Sequence, residues 1–216
     1  MNDAQARTLL ADGVAILLPD APATLVDRLW HFVALLMKWR RAYNLTAITA
    51  PEAIVTHHIL DALTLWPFVA NAPRLLDVGT GAGLPAVPLA LAAEALDAPL
   101  VEVVALDAVR KKAAFVQQCA IELAMPRLTV VAARVETWQS TVPFPAITSR
   151  AFAAVADFVT CTRRHLAPNG RWFAMKGAEW SEELAALPEG IRVVATTPVT
   201  VPFLDARRAV VVLQEA

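Results

Sequence analysis

The sequence predicts an α/β protein, a mostly parallel sheet flanked by helices, with a helical extension ahead of it. Three observations carry this. From Arg74 onward, short apolar and β-branched runs alternate with alanine-rich amphipathic stretches, the pattern of parallel strands joined by crossover helices. The stretch Arg74 to Leu91, RLLDVGTGAGLPAVPLAL, passes from a buried strand through three glycines into a helix. Such a turn lets a ligand approach bare backbone at a helix N-terminus. The first seventy residues read as helices, with apolar side chains recurring at three and four.

In chain order, Asn2 or Asp3 can cap a first helix that runs through Leu18 and is ended by Pro19. Pro22 begins a longer helix, with Leu25, Leu29, Phe32, Val33 and Leu36 on one stripe, finishing in the basic and aromatic segment Lys38 to Asn44. A third helix is expected from Thr49, with Pro51 in its first turn and Glu52 completing a capping box, stopped by Pro67. Strands are then expected at 74–78, 101–106, 128–132, 145–149 and 171–175, and helices near 84–96, 109–124 and 154–166. After Gly177 a short helix over 180–187 leads to two β-branched runs, Ile191–Val201 and Arg208–Gln214. With no helix between them they form a closing hairpin, which makes the last strand antiparallel to its neighbours. The chain divides into a helical extension over 1–70, packed on a core unit over 71–216.

Composition narrows the class. At 57% hydrophobic residues and a mean hydropathy of +0.50, much of the apolar share is alanine. The longest apolar stretch is broken by Glu94, Asp97 and Glu102, short of the roughly 18 residues a membrane span needs. The opening MNDAQARTLLADG lacks a basic segment followed by an apolar one, so no signal peptide and a cytoplasmic location are expected. Two cysteines provide neither a disulfide framework nor a metal set, and Cys119 falls on the inner stripe of its helix. A net charge of -1 leaves any nucleic-acid binding to local patches.

The glycine loop reads Gly79-x-Gly81-x-Gly83, with Asp77 closing the strand before it. A dinucleotide fingerprint needs glycine where Leu84 stands, and no Gly-Lys-Ser/Thr follows to make a phosphate loop. A nucleoside ligand without a pyrophosphate suits it better, S-adenosylmethionine being the commonest. Asp107 ends the second strand and can accept both ribose hydroxyls or cap the next helix. Arg134-Val135-Glu136 follows the third strand on the same carboxyl edge, as a frame for adenine or as a solvated loop. Arg150 ends the fourth strand, where enzymes methylating exocyclic amines carry an Asn/Asp-Pro-Pro-aromatic acceptor motif, so that chemistry is disfavoured. Neither cysteine lies in an edge loop, which weakens a covalent cytosine-C5 mechanism. His57, His58 and Asp61 share a helix face but make a weak metal set. Of the basic clusters, Lys38/Arg40/Arg41 is the best phosphate candidate because Trp39 and Tyr43 interleave with it.

Five motifs in order, Trp39…Asn44-Leu45-Thr46, His58-Ile59-Leu60-Asp61, Asp77 to Pro85, Ser149-Arg150-Ala151-Phe152 and Lys176-Gly177, resemble the bacterial 16S ribosomal RNA guanine-N7 methyltransferases, the glucose-inhibited-division-B family. The resemblance covers nearly the whole chain. It implies a Rossmann-like class I methyltransferase with a seven-stranded sheet and an N-terminal helical extension. It also implies S-adenosylmethionine as donor and 16S ribosomal RNA, or a small-subunit precursor, as acceptor, with the enzyme acting as a monomer. By position, Gly79, Leu84, Val135, Glu136 and Arg150 are donor contacts, beside Gly81 and Asp107 from the glycine loop and the second strand end. Asn44, His58, Asp61, Lys176 and Arg208 fall on the RNA side, with Arg150 and Lys176 shaping the base pocket. Ala82, Ala86 and His57 depart from the family's usual proline, glycine and arginine. Guanine N7 carries a lone pair and no proton, so its methylation needs alignment rather than a general base.

Overall fold

The computed structural model describes residues 3–150, 152, 154–177 and 181–216, with the side chains of residues 41, 42 and 181 outside the description. Two long helices lead, α1 (Asp3–Leu17) and α2 (Ala23–Tyr43). Residues 51–63 follow as α3 (Pro51–Ile54), a wide π-helical stretch Val55–Leu60 and α4 (Asp61–Leu63), with α5 (Trp66–Val69) closing the extension. The sheet region holds β1 (Arg74–Val78), α6 (Ala86–Ala95), β2 (Glu102–Asp107), α7 (Arg110–Glu122), β3 (Leu128–Ala132) and β4 (Phe144–Ser149). It continues through α8 (Val155–Thr162), β5 (Leu166–Lys176), a 3-10 segment Ser181–Ala186, β6 (Ile191–Val199) and β7 (Arg208–Glu215).

The seven strands stand in the order β3-β2-β1-β4-β5-β7-β6. The pairs among β1 to β5 are parallel, and β7 is antiparallel to both β5 and β6, as the closing hairpin requires. Strand alternation splits the core in two. Leu75, Val103, Ala105 and Phe173 face α6, α7 and the helical extension. Leu76, Val104, Ile147 and Trp172 face α8 on the other side. The extension shares the first core: Leu25, Leu29 and Phe32 of α2 are fully buried with the alanine face of α6 and with Phe115. Arg28 fixes the contact by pairing with Glu94 at 2.7 Å and donating to the carbonyl of Leu123 at 2.8 Å. Cys119 is a buried core thiol, its pKa pushed up to about 12 by burial.

Three local expectations are corrected. The capping box at Thr49 is not made, because α3 starts with Ala50 as N-cap and Pro51 at N1, which puts Glu52 one position too early. Pro67 does not stop a helix but sits in the first turn of α5, where its missing N–H costs nothing. The helix expected over 154–166 ends at Thr162, passes through a 3-10 turn Arg163–His165, and gives way to a strand five residues before 171. That strand carries a bulge at Pro168-Asn169-Gly170: Asn169 has φ 61, and the register shifts between Phe144↔Leu166 and Ala146↔Arg171. Asn2, Ala151 and the first residue of the helix expected over 180–187 lie outside the described residues.

Candidate active site

Two features meet at the carboxyl edge of the sheet, the glycine loop after β1 and a cavity beside β4. The three loop glycines all take positive φ, +72 at Gly79, +59 at Gly81 and +81 at Gly83, but for two different reasons. A Cβ on Gly79 would meet nothing nearer than Phe152 at 4.0 Å, and one on Gly81 nothing nearer than 3.8 Å. The space above both is open to a ligand. On Gly83 a Cβ would lie 2.6 Å from Val87 Cγ2 and 3.3 Å from Val116, so Gly83 serves the packing of α6 on α7.

Two acids hold the loop. Asp107 accepts from the Gly81 amide at 2.8 Å and, with its other oxygen, from the Val109 amide at 2.7 Å. It is not a cap in the usual sense, since Val109 is itself the N-cap of α7. The side chain stitches the glycine loop to the start of α7, with one lone pair left on each oxygen. Asp77 is fully buried; its Oδ2 accepts from the Thr80 hydroxyl at 2.6 Å and the Ala86 amide at 3.2 Å. Its Oδ1 has no partner among the described residues. Burial pushes the Asp77 carboxyl up to about 7, only partly opposed by the Thr80 and Ala86 hydrogen bonds.

The cavity has a volume of about 360 Å³, and the sheet edge and the wide helix wall it together. Asp61, nearly buried, is clamped between two guanidinium groups: Arg208 Nε donates to Oδ1 at 2.9 Å and Arg150 Nη1 to Oδ2 at 3.3 Å. Arg150 also donates to the carbonyl of His57 at 3.1 Å. His58 Nδ1 lies 3.1 Å from that same carbonyl and Nε2 lies 2.8 Å from Thr46 Oγ1. We assign the proton to Nδ1, leaving Nε2 to accept from the hydroxyl, and that hydroxyl accepts from the Ile48 amide at 3.1 Å. Burial first, then the Arg150 charge, lowers the His58 pKa to about 4, so the imidazole is neutral at pH 7. Lys176 bonds Glu183 at 2.7 Å and the carbonyl of Phe152 at 3.4 Å, and Glu183 in turn accepts from the Val155 amide. The segment following β4 is thereby tied to the end of β5.

Of the residues singled out in the sequence, His58, Asp61, Arg150, Lys176 and Arg208 line this one cavity, although they come from positions up to 150 apart in the chain (208 − 58). Asn44 does not line it; it is the exposed C-cap of α2 in a left-handed conformation with φ 51. Its relation to the cavity runs through Thr46, two residues on. In the loop, Gly79 and Gly81 border open space, whereas the Leu84 side chain is buried and its amide is committed to the carbonyl of Thr80. Val135 is buried in the second core and its carbonyl is taken by Arg164 and His165, leaving Glu136 exposed. Trp39 and Tyr43 are not a free stacking surface: Trp39 packs 5.2 Å from Tyr43 and 6.3 Å from Phe115, within the contact of α2 with α7. The structure adds Ile48 and Thr64, which no local pattern marks, places Phe152 over Gly79, and shows Asp77 fully buried. Among the described residues no cluster of His, Cys, Asp and Glu can hold a metal ion.

A seven-stranded sheet in this order, with one antiparallel strand, a glycine loop after β1 and an acid after β2, defines a class I methyltransferase. The chain belongs to the family described as GidB, rRNA small subunit methyltransferase G, whose model matches residues 25–211. It is 44% identical over 202 residues, 94% of each chain, to the ribosomal RNA small subunit methyltransferase G of Chromobacterium violaceum. With the protein of the same name from Aromatoleum aromaticum it shares 46% identity over 194 residues, 90% of this chain and 91% of that one. Among solved structures, the O-methyltransferase TomG from Streptomyces achromogenes, in complex with S-adenosylmethionine, matches with a TM-score of 0.55 at 14% identity, over 86% of this chain and 89% of that one. TrmN from Thermus thermophilus matches with a TM-score of 0.54 at 18% identity, over 75% and 53%. At such identities the likeness is one of fold.

Proposed function

We propose that the protein transfers the methyl group of S-adenosylmethionine to N7 of a guanine in 16S ribosomal RNA, acting as a monomer in the cytoplasm on free RNA or on a small-subunit precursor. The residues present fit the donor. Gly79 and Gly81 leave open backbone for it, and Asp107 keeps a lone pair on each oxygen for the ribose hydroxyls. Asp77, buried at the base of the loop, fixes it through the Thr80 hydroxyl and the Ala86 amide. The donor supplies an electrophilic methyl on a sulfonium; the chain supplies position. Leu84, Val135 and Glu136 would border the donor through backbone and loop, while Arg150 faces both donor and acceptor from the end of β4.

One observation carries the choice of acceptor atom: two largely buried bases of the cavity, His58 and Asp61, are already engaged. His58 is held neutral between Thr46 and its own chain, and Asp61 is locked between two arginines. Neither is poised to remove a proton, and N7 has none to remove. Catalysis then reduces to aligning N7 with the methyl carbon, a task of proximity and orientation. Arg150, Lys176 and Arg208 present the cations that guanine O6 and phosphate oxygens accept from, with His58 and Asp61 setting their places and Asn44 at the outer edge of the RNA side. The test is methyl transfer from labelled donor into small-subunit ribosomal RNA, followed by nuclease digestion and mass spectrometry. The expected product is 7-methylguanosine. Methyl label recovered in any other nucleoside, or in none, refutes the assignment.

A further inference from the structure

Methylation of guanine N7 moves a charge as well as a carbon. The bond from sulfur to the methyl group breaks with its electron pair left on sulfur, the N7 lone pair forms the new bond, and no proton moves. The donor's positive charge therefore passes to the guanine ring, and the cavity must accommodate a cation where it held a neutral base. Three cations line that cavity, Arg150, Lys176 and Arg208, against one carboxylate, Asp61, which the two arginines share. Lys176 has a counter-ion of its own. Glu183, from the 3-10 segment Ser181–Ala186, accepts from Lys176 Nζ at 2.7 Å, and the same oxygen accepts from the Val155 amide at 3.0 Å. Both side chains are largely withdrawn from water, at 11% exposure for Lys176 and 23% for Glu183. Lys176 also donates to the Phe152 carbonyl at 3.4 Å, and the Phe152 ring is the group nearest the open side of Gly79. The lysine thus joins the acceptor cavity to the segment that covers the donor loop. Glu183 does not itself line the cavity, and no sequence motif marks it.

We propose that Glu183 is a positioning residue for methyl transfer: by holding and neutralising Lys176, it lets the lysine offer N–H groups to the base without opposing the charge that develops on the ring. In a site poor in water an unpaired cation repels a like charge far more strongly than it does in bulk solvent. That repulsion grows only as the methyl group moves, so it raises the barrier and leaves substrate binding alone. The inference rests on N7 being the acceptor, since an acceptor that loses a proton on methylation gains no charge.

The test uses the full chain with small-subunit ribosomal RNA and labelled S-adenosylmethionine. The kcat and the KM for RNA are measured separately, and 7-methylguanosine is counted after nuclease digestion. Glu183→Gln keeps an oxygen for the Val155 amide and removes only the charge. It should lower kcat about tenfold, with the KM for RNA unchanged or lower and the affinity for S-adenosylhomocysteine unchanged. Glu183→Ala should lower kcat as much, and it alone should lower the melting temperature, because the first amide of α8 loses its acceptor. In a Lys176→Met background no charge is left to neutralise, and Glu183→Gln should then change kcat by less than about twofold. A loss of kcat under about threefold in Glu183→Gln overturns the proposal. So does a loss that is matched by a rise in KM, that tracks the melting temperature, or that persists in the Lys176→Met background. A wild type that makes 7-methylguanosine beside any of these results removes this inference alone. A wild type whose label enters another nucleoside, or none, removes the N7 reading and this inference with it.

Discussion

The glycines of one loop part company when each is asked what a methyl group would strike. Gly83→Ala drives a Cβ to 2.6 Å from Val87 with φ at +81, so it should cost about 2–4 kcal/mol of stability, read by thermal or chemical denaturation. Gly81→Ala meets nothing closer than 3.8 Å and should cost only the left-handed backbone, about 1–2 kcal/mol. It intrudes into the open space, and donor affinity by calorimetry should fall by more than the change in stability explains. The two perturbed acids and bases make a second pair. Asp77 is raised to about 7, so it adds stability that is complete below pH 3.8 and is lost as pH climbs through 7. His58 is lowered to about 4, so it adds stability that is complete above pH 6.5 and is lost as pH falls through 4. Over the same window the two oppose each other. Asp77→Asn should therefore make the protein more acid-sensitive than wild type between pH 7 and pH 5, and His58→Gln less so. Melting temperatures at the two pH values decide it, and parallel slopes for all three proteins would contradict the assigned pKa directions.

At the scale of elements, the parallel strands and their helices were legible because alternation, glycine and alanine follow simple periods. What was not legible is where backbone departs from those periods. Nothing in VTHHIL announces six residues of π-helix, since the hydrophobic pattern of a wide turn and of an α-turn differ by less than one position. The wide stretch still matters. It frees the His57 carbonyl to take both Arg150 and His58, and it turns His58 and Asp61 to the cavity together. Deleting Thr56 should draw the stretch toward ordinary α-helix and rotate those side chains out of place. The expected result is a folded protein by circular dichroism with methyl transfer lowered on the order of a hundredfold. Full activity after the deletion would show that the wide turn positions nothing. The bulge in β5 was hidden for a related reason: Pro-Asn-Gly is turn chemistry, and only the ladder with β4 overrides it.

For the whole molecule, the order of motifs along the chain said which residues belong together but not how. His58 and Asp61 read as a polar helix face, and Arg150 and Arg208 as strand-end cations; that a single carboxylate holds both arginines is a fact of three-dimensional closure. Trp39 and Tyr43 differ from the expected stacking surface because an aromatic beside lysine and arginine looks the same in sequence whether it awaits a base or packs on Phe115. The closure has a consequence for the order of events. Asp61 is a shared counter-ion, one oxygen to Arg150, which we propose faces the donor, and one to Arg208, which we propose faces the RNA. An anionic group that draws off either guanidinium leaves the whole carboxylate charge on the other. The remaining arginine is then held harder, and the second ligand must compete for it. Donor and RNA should therefore antagonise one another, each weakening the other by the same factor, on the order of fivefold for about 1 kcal/mol. Asp61→Asn, which removes the charge for which both compete, should make the two dissociation constants independent. An S-adenosylhomocysteine affinity identical with and without saturating oligoribonucleotide in the wild type would rule the antagonism out. Antagonism of this kind would suit an enzyme that must let go, because product RNA would leave more readily when a fresh donor arrives.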